Sequence, residues 1–502
     1  MNTRLFRPLL LPALIAGLGL ILTGRATAQT FTNLHNFTAL VSTTNSEGAN
    51  PSCSLILSGN TLYGTTEDGG ISGQGALFAI NPNGLAITNV HSFSAIMTNG
   101  LGVYTNSDGT SPAANLIVSG NTFYGTAEFG GLNGHGTVFS LHTDGTVFTN
   151  LYSFSAAATN ALGHYTNSDG AAPQCGLILS SNTLYGTASS GGLFGNGTVF
   201  RLNTDGTGFT NLHSFTSYSS GFPPTNSDGY YPVAGLVLSG NALYGTAVNG
   251  GPLGKGTIFR VYTDGSGFTN LHNFSAVVSG TNSDGASPFP GLILSGNTLY
   301  GMATYGGSKG DGTVFAVNTD GSGFTNLYSF IGYPQGAQNP QGALILSGRT
   351  LYGTTEFGGS ADTGAVFKGH TDGSGFTNLY SFTTLSGTYP NYYNSDGYYP
   401  YAALLLSGNI LYGTALEGGT NNAGTVFSFS LPVPPPLAIN RSGTNVVLTW
   451  AANATAFTLE STTNLVPPAA WSTVSPGSVI VNGQNAVTNP ISGTQNFYRL
   501  SQ

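Results

Sequence analysis

The sequence predicts an all-β protein: a seven-bladed β-propeller, closed by an amino-terminal strand and followed by a small β-sandwich. Three observations predict this fold. A strand-rich unit recurs seven times, the incomplete units at the two ends of the array complement each other, and a proline-rich segment separates the array from a tail of different character. We therefore divide the chain into residues 1–28, 29–430, 431–436 and 437–502.

Residues 1–28 have the pattern of a secretory signal peptide. Arg4 and Arg7 precede an apolar run of about 14 residues, and small residues at Ala26 and Ala28 suit a signal peptidase. The apolar run is shorter than the roughly 20 residues that span a bilayer. We expect export to the periplasm, the cell surface or the medium, with no transmembrane anchor.

The charge of the mature chain excludes a nucleic-acid partner. Loss of Arg4, Arg7 and Arg25 leaves eight basic residues against 19 acidic ones, a net charge of about −11. Binding to phosphates needs a basic surface. Charged residues make up only 6% of the chain, but its 40% hydrophobic share and regular pattern indicate a folded protein.

One tyrosine marks each repeat, within a Leu/Phe-Tyr-Gly sequence. These tyrosines are Tyr63, Tyr124, Tyr185, Tyr244, Tyr300, Tyr352 and Tyr412, spaced by 52 to 61 residues. Four short segments accompany each of them, typified by LILSGNT, LYGTA, GTVF and FTNLHSF. They are rich in β-branched and aromatic residues and predict strands, while Ser-Gly-Asn and Thr-Asp-Gly predict hairpin turns. Each repeat is therefore a four-stranded meander, the size of a propeller blade.

The ends of the array predict ring closure. The mature chain begins with a fourth-type segment, Phe31 to Phe37, whereas the last repeat ends after its third segment, Gly424 to Phe427. Together they make one blade, and closure removes an exposed sheet edge. Since alternate strands run in opposite directions, the Gly-Gly loops and the long crossovers share one face. Variable loops on a rigid scaffold are common binding sites.

Cys53 and Cys175 occupy equivalent positions in the first and third repeats. Because non-adjacent blades keep equivalent positions further apart than the roughly 7 Å that a disulfide spans, we expect two buried free thiols.

The tail follows the extended linker 431–436. Its short strands, with Trp450 early and Tyr498 late, resemble a fibronectin type III or immunoglobulin-like sandwich that lacks the cysteine pair.

The repeat motifs resemble those of the GloVer (Gloeobacter/Verrucomicrobia) tandem-repeat family over residues 31–430. The resemblance implies an exported bacterial protein, and it implies no particular activity. Members of that family carry varying carboxy-terminal surface anchors, and this tail is not a recognisable one.

Repeated acidic residues suggest turns first and metal ions second. Five aspartates lie in Thr-Asp-Gly turns, and an Asn-Ser-Asp/Glu-Gly element recurs in six crossovers. The acids of the second set are Glu47, Asp108, Asp169, Asp228, Asp284 and Asp396. Asn, Asp and Gly favour turns for local reasons. The alternative is a weak Ca²⁺ site at the five aspartates of this set, although one carboxylate is few for Ca²⁺. We expect no other cofactor.

Glu67 and Glu128 are the candidates for catalysis. Together with Glu356 they stand just before Gly-Gly, where other repeats have Ser189, Val248 and Thr304. A glycosidase needs two carboxyl groups roughly 5 to 10 Å apart, and these two belong to neighbouring repeats. The alternative is solvated loop acids.

The histidines do not suggest a metal site. His35, His91, His213 and His272 share one strand position with Tyr152, Tyr328 and Tyr380, and this interchange indicates packing or hydrogen bonding. The chain has no zinc-type spacing, nucleophile elbow or phosphate-binding loop.

Crossover tyrosines are the candidates for ligand binding. They are Tyr104, Tyr165, Tyr230, Tyr231, Tyr392, Tyr393, Tyr398 and Tyr399. A tyrosine has an apolar ring and a polar hydroxyl, which suits contact with a sugar or a protein surface. The alternative is that these rings pack onto the edge of the propeller itself.

These features favour an exported, non-catalytic binding or scaffold protein whose ligand face is formed by the crossovers and Gly-Gly loops. Its partner would be an extracellular glycan or protein. The alternatives are a propeller enzyme acting on polysaccharide and a structural surface-layer component.

Overall fold

The computed structural model describes residues 29–100, 102–160, 163, 165–334, 336–388, 391–454, 457–465, 471–475, 477–491 and 495–501. The signal-peptide prediction lies outside these residues. The chain forms two compact units, one of them Thr30–Leu431 and the other including the segment from Pro432 onward. The described residues form strands and turns without any α-helix, and so include no helix that could cross a membrane.

The described residues of the larger unit form seven antiparallel sheets built on four strands, together with three two-stranded hairpins. The first sheet contains Ile56–Ser58, Thr61–Thr66, Ala76–Ile80 and Ile87–Ser92. The second contains Ile117–Ser119, Thr122–Ala127, Thr137–His142 and Phe148–Ser153. The third contains Ile178–Ser180, Thr183–Ala188, Thr198–Asn203 and Thr210–Ser214. The fourth contains Val237–Ser239, Ala242–Ala247, Thr257–Tyr262 and Thr269–Asn273.

The remaining sheets follow the same plan with two variations. The fifth contains Ile293–Ser295, Thr298–Ala303, Thr313–Asn318 and Thr325–Ser329. The sixth contains Ile345–Ser347, Thr350–Gly358, Ala365–His370 and Thr377–Ser381, with Ala337–Pro340 as an added strand. The seventh contains Leu405–Ser407, Ile410–Ala415 and Thr425–Ser430, and its fourth strand is Thr30–Asn36 from the start of the described chain.

Three crossovers carry small hairpins that the sequence did not predict. They pair Met97–Thr98 with Tyr104–Thr105, Ala158–Thr159 with Tyr165–Thr166, and Ser386–Thr388 with Asn391–Tyr393.

Turn chemistry explains the hairpins within each sheet. Ser58 and Thr61 pair across a two-residue turn in which Gly59 has a φ of +59°. Glycine adopts that angle without a steric penalty, as such a turn requires. In the Thr-Asp-Gly turn of the third sheet, the Asp205 carboxylate accepts hydrogen bonds from the backbone and hydroxyl of Thr207, at 2.9 and 2.7 Å. The Ser-Gly-Asn and Thr-Asp-Gly sequences therefore form turns for local reasons.

A phenylalanine packs beneath the glycine of each Leu/Phe-Tyr-Gly sequence. In the third sheet, a Cβ added to Gly186 would lie 2.7 Å from Cζ of Phe200, which is fully buried. Only glycine leaves room for that ring without a shift of the neighbouring atoms. Complete burial of a phenylalanine contributes about 2–3 kcal/mol, and the same arrangement recurs in all seven repeats.

Hydrophobic clusters join each sheet to the next one, which gives the unit a β-propeller-like construction. Val138 and Phe154 of the second repeat pack with Leu184 and Phe200 of the third, for example. The seventh and first sheets are joined in the same way, because Phe37 and Val426 pack with Leu55, Leu62 and Phe78. Successive sheets are thus held together mainly by apolar burial.

Both cysteines are buried and free. Each sulfur accepts a backbone hydrogen bond, from Thr65 to Cys53 at 2.9 Å and from Thr187 to Cys175 at 3.1 Å. Burial raises the pKa of both thiols, which keeps them protonated and unreactive.

The described residues of the smaller unit form two sheets. One contains Ala438–Ser442, Asn445–Ala451, Gln484–Pro490 and Val479–Val481. The other contains Ser472–Thr473, Thr458–Thr462 and Phe497–Ser501. Leu448, Trp450 and Leu459 are buried in a core between them, which Tyr498 joins as a partly buried residue.

Candidate functional site

A cavity of about 530 Å³ lies where the seven sheets converge. Every repeat contributes the residues that precede or begin its first strand, at the end of the sheet that also carries the Gly-Gly loop. We call this space the central cavity. Its volume falls in the range of small-molecule sites, roughly 300 to 1,000 Å³.

One position supplies much of the cavity's chemical variety. It lies eleven residues before the tyrosine of each repeat and directly follows a proline. Its occupants are Ser52, Ala113, Gln174, Val233, Phe289, Gln341 and Tyr401, and all of them line the cavity. The sequence analysis missed this position. Its variation between repeats, beside a constant proline, is the signal that could have revealed it.

Glu67 and Glu128 both line the central cavity, so the structure brings this predicted pair to one site. Burial raises the pKa of Glu67, and repulsion from the nearby Asp68 raises it further. Interaction with the Ser52 hydroxyl lowers this pKa in part. Burial also raises the pKa of Glu128, which Gln174 lowers by donating a hydrogen bond and Glu67 raises by repulsion. Both carboxyl groups therefore hold their protons more strongly than exposed glutamates do.

Glu356 belongs to a different arrangement close to the same cavity. Its two carboxylate oxygens accept hydrogen bonds from the Tyr401 hydroxyl at 2.7 Å and the Gln341 amide at 3.0 Å. Burial raises the pKa of Tyr401, and the adjacent carboxylate raises it further, so this hydroxyl remains a donor. Glu356 consequently fixes the side chains of two residues that line the cavity.

The tyrosines predicted to bind a ligand lie in three different environments. Tyr231 lines the central cavity. Tyr104, Tyr165, Tyr392 and Tyr393 are exposed on the crossover hairpins. Tyr230, Tyr398 and Tyr399 pack on neighbouring aromatic rings. Tyr398 is buried, with its hydroxyl bonded to Glu417. The eight residues therefore do not form a single surface.

The acids of the Asn-Ser-Asp/Glu-Gly elements form hydrogen bonds that join each of these crossovers to the sheet before it. Asp108 accepts hydrogen bonds from His91 at 3.2 Å, from the backbone of Ser94 at 3.0 Å and from the Ser94 hydroxyl. Tyr152 and Tyr380 donate to Asp169 and Asp396 in the same way, at 2.7 and 2.6 Å. The interchange of His and Tyr thus keeps one hydrogen bond to an acid.

The remaining members of the set follow this pattern. Nε2 of His213 lies 2.9 Å from Oδ2 of Asp228, and Nε2 of His272 lies 2.9 Å from Oδ2 of Asp284. In the same way, Nε2 of His35 lies 3.2 Å from Oε2 of Glu47. The fifth sheet has Tyr328 at this position, and the crossover after it lacks the acid. A cavity of about 350 Å³ lies beside Tyr328.

This geometry favours the turn interpretation of the crossover acids over the Ca²⁺ interpretation. Both carboxylate oxygens of Asp108 already have protein donors. The preceding Asn106 also accepts from the backbone of Gly109 and of Gly131, both at 2.9 Å. Within the described residues, no three His, Cys, Asp or Glu side chains are grouped to hold a metal ion.

Comparison with known families identifies the repeats. The model of the Gloeobacter/Verrucomicrobia repeat family matches residues 16–163, 155–283, 224–393 and 275–459. The chain belongs to this family. The family resemblance inferred from the motifs of this Gloeobacter/Verrucomicrobia repeat protein is thereby confirmed. No curated protein matches this chain.

Several solved structures are distantly similar to this Gloeobacter/Verrucomicrobia repeat protein. An oligogalacturonate lyase in complex with manganese is 10% identical, with a TM-score of 0.46, over 82% of this chain and 98% of the other. A putative 6-phosphogluconolactonase from Bacteroides uniformis is 14% identical, with a TM-score of 0.42, over 88% and 98%. TolB from Acinetobacter baumannii is 13% identical, with a TM-score of 0.33, over 60% and 58%.

Proposed function

We propose that this chain is an exported binding protein, built on a closed seven-bladed β-propeller, whose central cavity takes a small part of an extracellular glycan or protein. The observation that carries the proposal is the cavity, because equivalent segments of all seven repeats enclose one space with chemically different side chains. Export rests on the charge and hydropathy pattern of residues 1–28. The tail is proposed to be a fibronectin type III-like sandwich.

Contacts between the first and last repeats support closure. Gly75 packs on Pro112 of the next repeat, and Gly424 of the last repeat packs on Pro51 of the first in the same manner. The Thr126 hydroxyl donates to the Cys175 carbonyl at 3.1 Å, and the Thr414 hydroxyl donates to the Cys53 carbonyl at 3.1 Å. The contact between neighbouring repeats is thus repeated between the ends of the array.

The cavity chemistry supports binding. Rings from Tyr231, Phe289 and Tyr401 lie beside the amides of Gln174 and Gln341 in one lining. Apolar surface with a few placed polar groups is the usual composition of a ligand site. The two amides and both tyrosines among these side chains are half-buried.

A glycan array and a pull-down on the full mature chain would test this function. We expect a ligand whose affinity falls at least tenfold in Tyr231→Ala and Gln341→Ala, since truncating an aromatic or paired contact costs about 1.4 kcal/mol or more. The matched control is Tyr104→Ala, which removes an exposed tyrosine outside the cavity and should leave the affinity unchanged. Failure to bind any glycan or protein would contradict the proposal, and so would a loss confined to Tyr104→Ala.

A polysaccharide-degrading enzyme is the second candidate, because Glu67 and Glu128 share the cavity and burial raises the pKa of both. A carboxyl group with a raised pKa suits a general acid. Incubation with a polysaccharide panel would reveal new reducing ends, or an unsaturated product if the cleavage is eliminative. Loss of that product in both Glu67→Gln and Glu128→Gln would support the enzyme, and absence of any product would exclude it.

A further inference from the structure

We infer that the central cavity selects uncharged saccharides and rejects anionic glycans. This inference rests on the proposed binding function and names the ligand class of the same site. Three features carry it: the charge of the lining, the kinds of hydrogen-bonding group that it presents, and the placement of its aromatic rings.

The lining contains carboxyl groups and no basic side chain that could pair with them. Glu67 and Glu128 lie in it, Glu356 bonds two of its residues, and no Lys, Arg or His is among the described residues that line it. A carboxylate or sulfate that entered would find no cationic partner in this partly desolvated space, and it would be repelled by each of these carboxyl groups that is ionised. Such repulsion is several times stronger than in bulk water. Sites for anionic sugars instead present basic side chains, which form paired hydrogen bonds to the anion.

The hydrogen-bonding groups suit sugar hydroxyls. A hydroxyl both donates and accepts, so it can donate to a glutamate and accept from an amide or a phenol. Glu67 and Glu128 supply acceptors, Gln174 and Tyr231 supply groups of both kinds, and Tyr401, whose proton is donated to Glu356, supplies an acceptor. Glu356 orients the Tyr401 hydroxyl and the Gln341 amide nitrogen, which leaves Oε1 of Gln341 without a protein donor.

Aromatic rings complete this chemistry. Tyr231, Phe289 and Tyr401 belong to the fourth, fifth and seventh repeats, whereas Glu67 and Glu128 belong to the first two. The cavity therefore presents aromatic rings beside carboxyl groups, since Tyr401 donates a hydrogen bond to Glu356 and Glu128 acts on Tyr231. A sugar ring has apolar C–H faces and a polar edge, and it matches a lining that mixes rings with polar groups better than a uniformly polar ligand does.

Matched glycans provide the test. The full mature chain would be screened on an array that holds neutral glycans together with their uronate, sulfated and amino counterparts. We expect the bound glycans to be neutral, with calorimetric affinity at least tenfold higher than for the uronate counterpart of the same linkage. Binding of the anionic member as tightly as the neutral one would overturn the inference, as would a tenfold preference for the amino member. Absence of any glycan binding would instead refute the glycan form of the proposed function.

Charge-neutral variants separate charge from shape. In Glu67→Gln/Glu128→Gln we expect the preference for the neutral glycan over its uronate counterpart to fall at least tenfold, because the repulsion is removed while the side-chain size is kept. Glu417→Gln is the control, since Glu417 bonds Tyr398 and does not line the cavity. An unchanged preference in the double variant, with its folding confirmed by circular dichroism, would contradict the inference.

Discussion

At the scale of single residues, the acids of the crossovers act as anchors. Each carboxylate is buried, and Asp108, Asp169 and Asp284 accept backbone hydrogen bonds from the residue two positions after the preceding fourth strand. The histidine or tyrosine in this contact also stacks on an aromatic ring of the next repeat, as His213 does on Phe268 at 3.7 Å and Tyr152 on Phe209 at 4.1 Å. One side chain thus links a crossover to the adjoining sheet, which explains why both His and Tyr are acceptable there.

Replacement of Asp108 should cost stability in a way that depends on pH. Burial acts to raise the pKa of Asp108, but hydrogen bonds from His91 and Ser94 outweigh it and leave the pKa below its ordinary value. The ionised form is therefore favoured by folding, and its contribution is complete above the unfolded-state pKa of about 4. It disappears as the pH falls through the lower folded-state pKa. We expect Asp108→Ala to lower the free energy of unfolding by about 2–3 kcal/mol at pH 7, since charged hydrogen bonds are lost.

Urea unfolding of the unsubstituted chain and of Asp108→Ala between pH 7 and pH 3 would measure this effect. The difference between their free energies of unfolding should shrink toward pH 3. The control is Asp205→Ala, in an exposed Thr-Asp-Gly turn, where solvent screens the charge and the effect should be much smaller. Equal losses in the two variants, or a loss independent of pH, would contradict the anchor interpretation.

At the scale of elements, the strand Thr30–Asn36 replaces a fourth strand that the last repeat lacks. It pairs antiparallel with Thr425–Ser430 and has the same bulge near its middle as the fourth strands of other sheets. Phe31 stacks on Tyr380 at 3.9 Å, just as Phe376 stacks on Tyr328 at 4.3 Å. The strand is thus bound to both the seventh sheet and the sixth.

Removal of either ring should destabilise the protein to a similar degree. Both phenylalanines are partly buried, so we expect Phe31→Ala and Phe376→Ala each to lower the free energy of unfolding by about 1–3 kcal/mol, measured by urea denaturation. Unchanged stability in Phe31→Ala, together with a clear loss in Phe376→Ala, would mean that the first strand does not pack as described.

The strands and turns of the repeats could be predicted from the sequence because they depend on short local motifs. The Leu-Tyr-Gly and Gly-Thr-Val-Phe segments, and the glycine turns between them, depend on neighbouring residues alone. The partnership of His91 with Asp108 was missed because the two residues are 17 positions apart and the repeat alone does not reveal their distance. Glu67 and Glu128 were identified as a pair because their repeats are neighbours. Gln174, Gln341 and Tyr401 were missed because their importance appears only when seven separate segments meet.

At the scale of the whole molecule, the seven repeats make one site that no single repeat contains. Each repeat has a nearly constant core, formed by the buried Phe200 in one repeat and by its equivalents in the others. The variable side chains that line the cavity stand at one end of the sheets. This division lets the cavity change chemically with little effect on stability, because the residues that directly follow the repeat prolines, such as Gln174 and Tyr401, lie outside the hydrophobic clusters.

The proposed closed ring depends most directly on the pairing of the first described strand with the last repeat. Thr32 lies opposite Ser428 in that pairing, so cysteines at both positions fall within the distance that a disulfide spans. Ser140 and Thr149 form the equivalent pair within the second sheet and provide the control. Mild oxidation, followed by mass spectrometry of the intact protein and its peptides, would measure the cross-link. We predict that Thr32→Cys/Ser428→Cys forms an intramolecular bond as completely as Ser140→Cys/Thr149→Cys. A control that cross-links while the 32–428 pair stays reduced, or joins two chains instead, would contradict the closed ring and the central cavity with it.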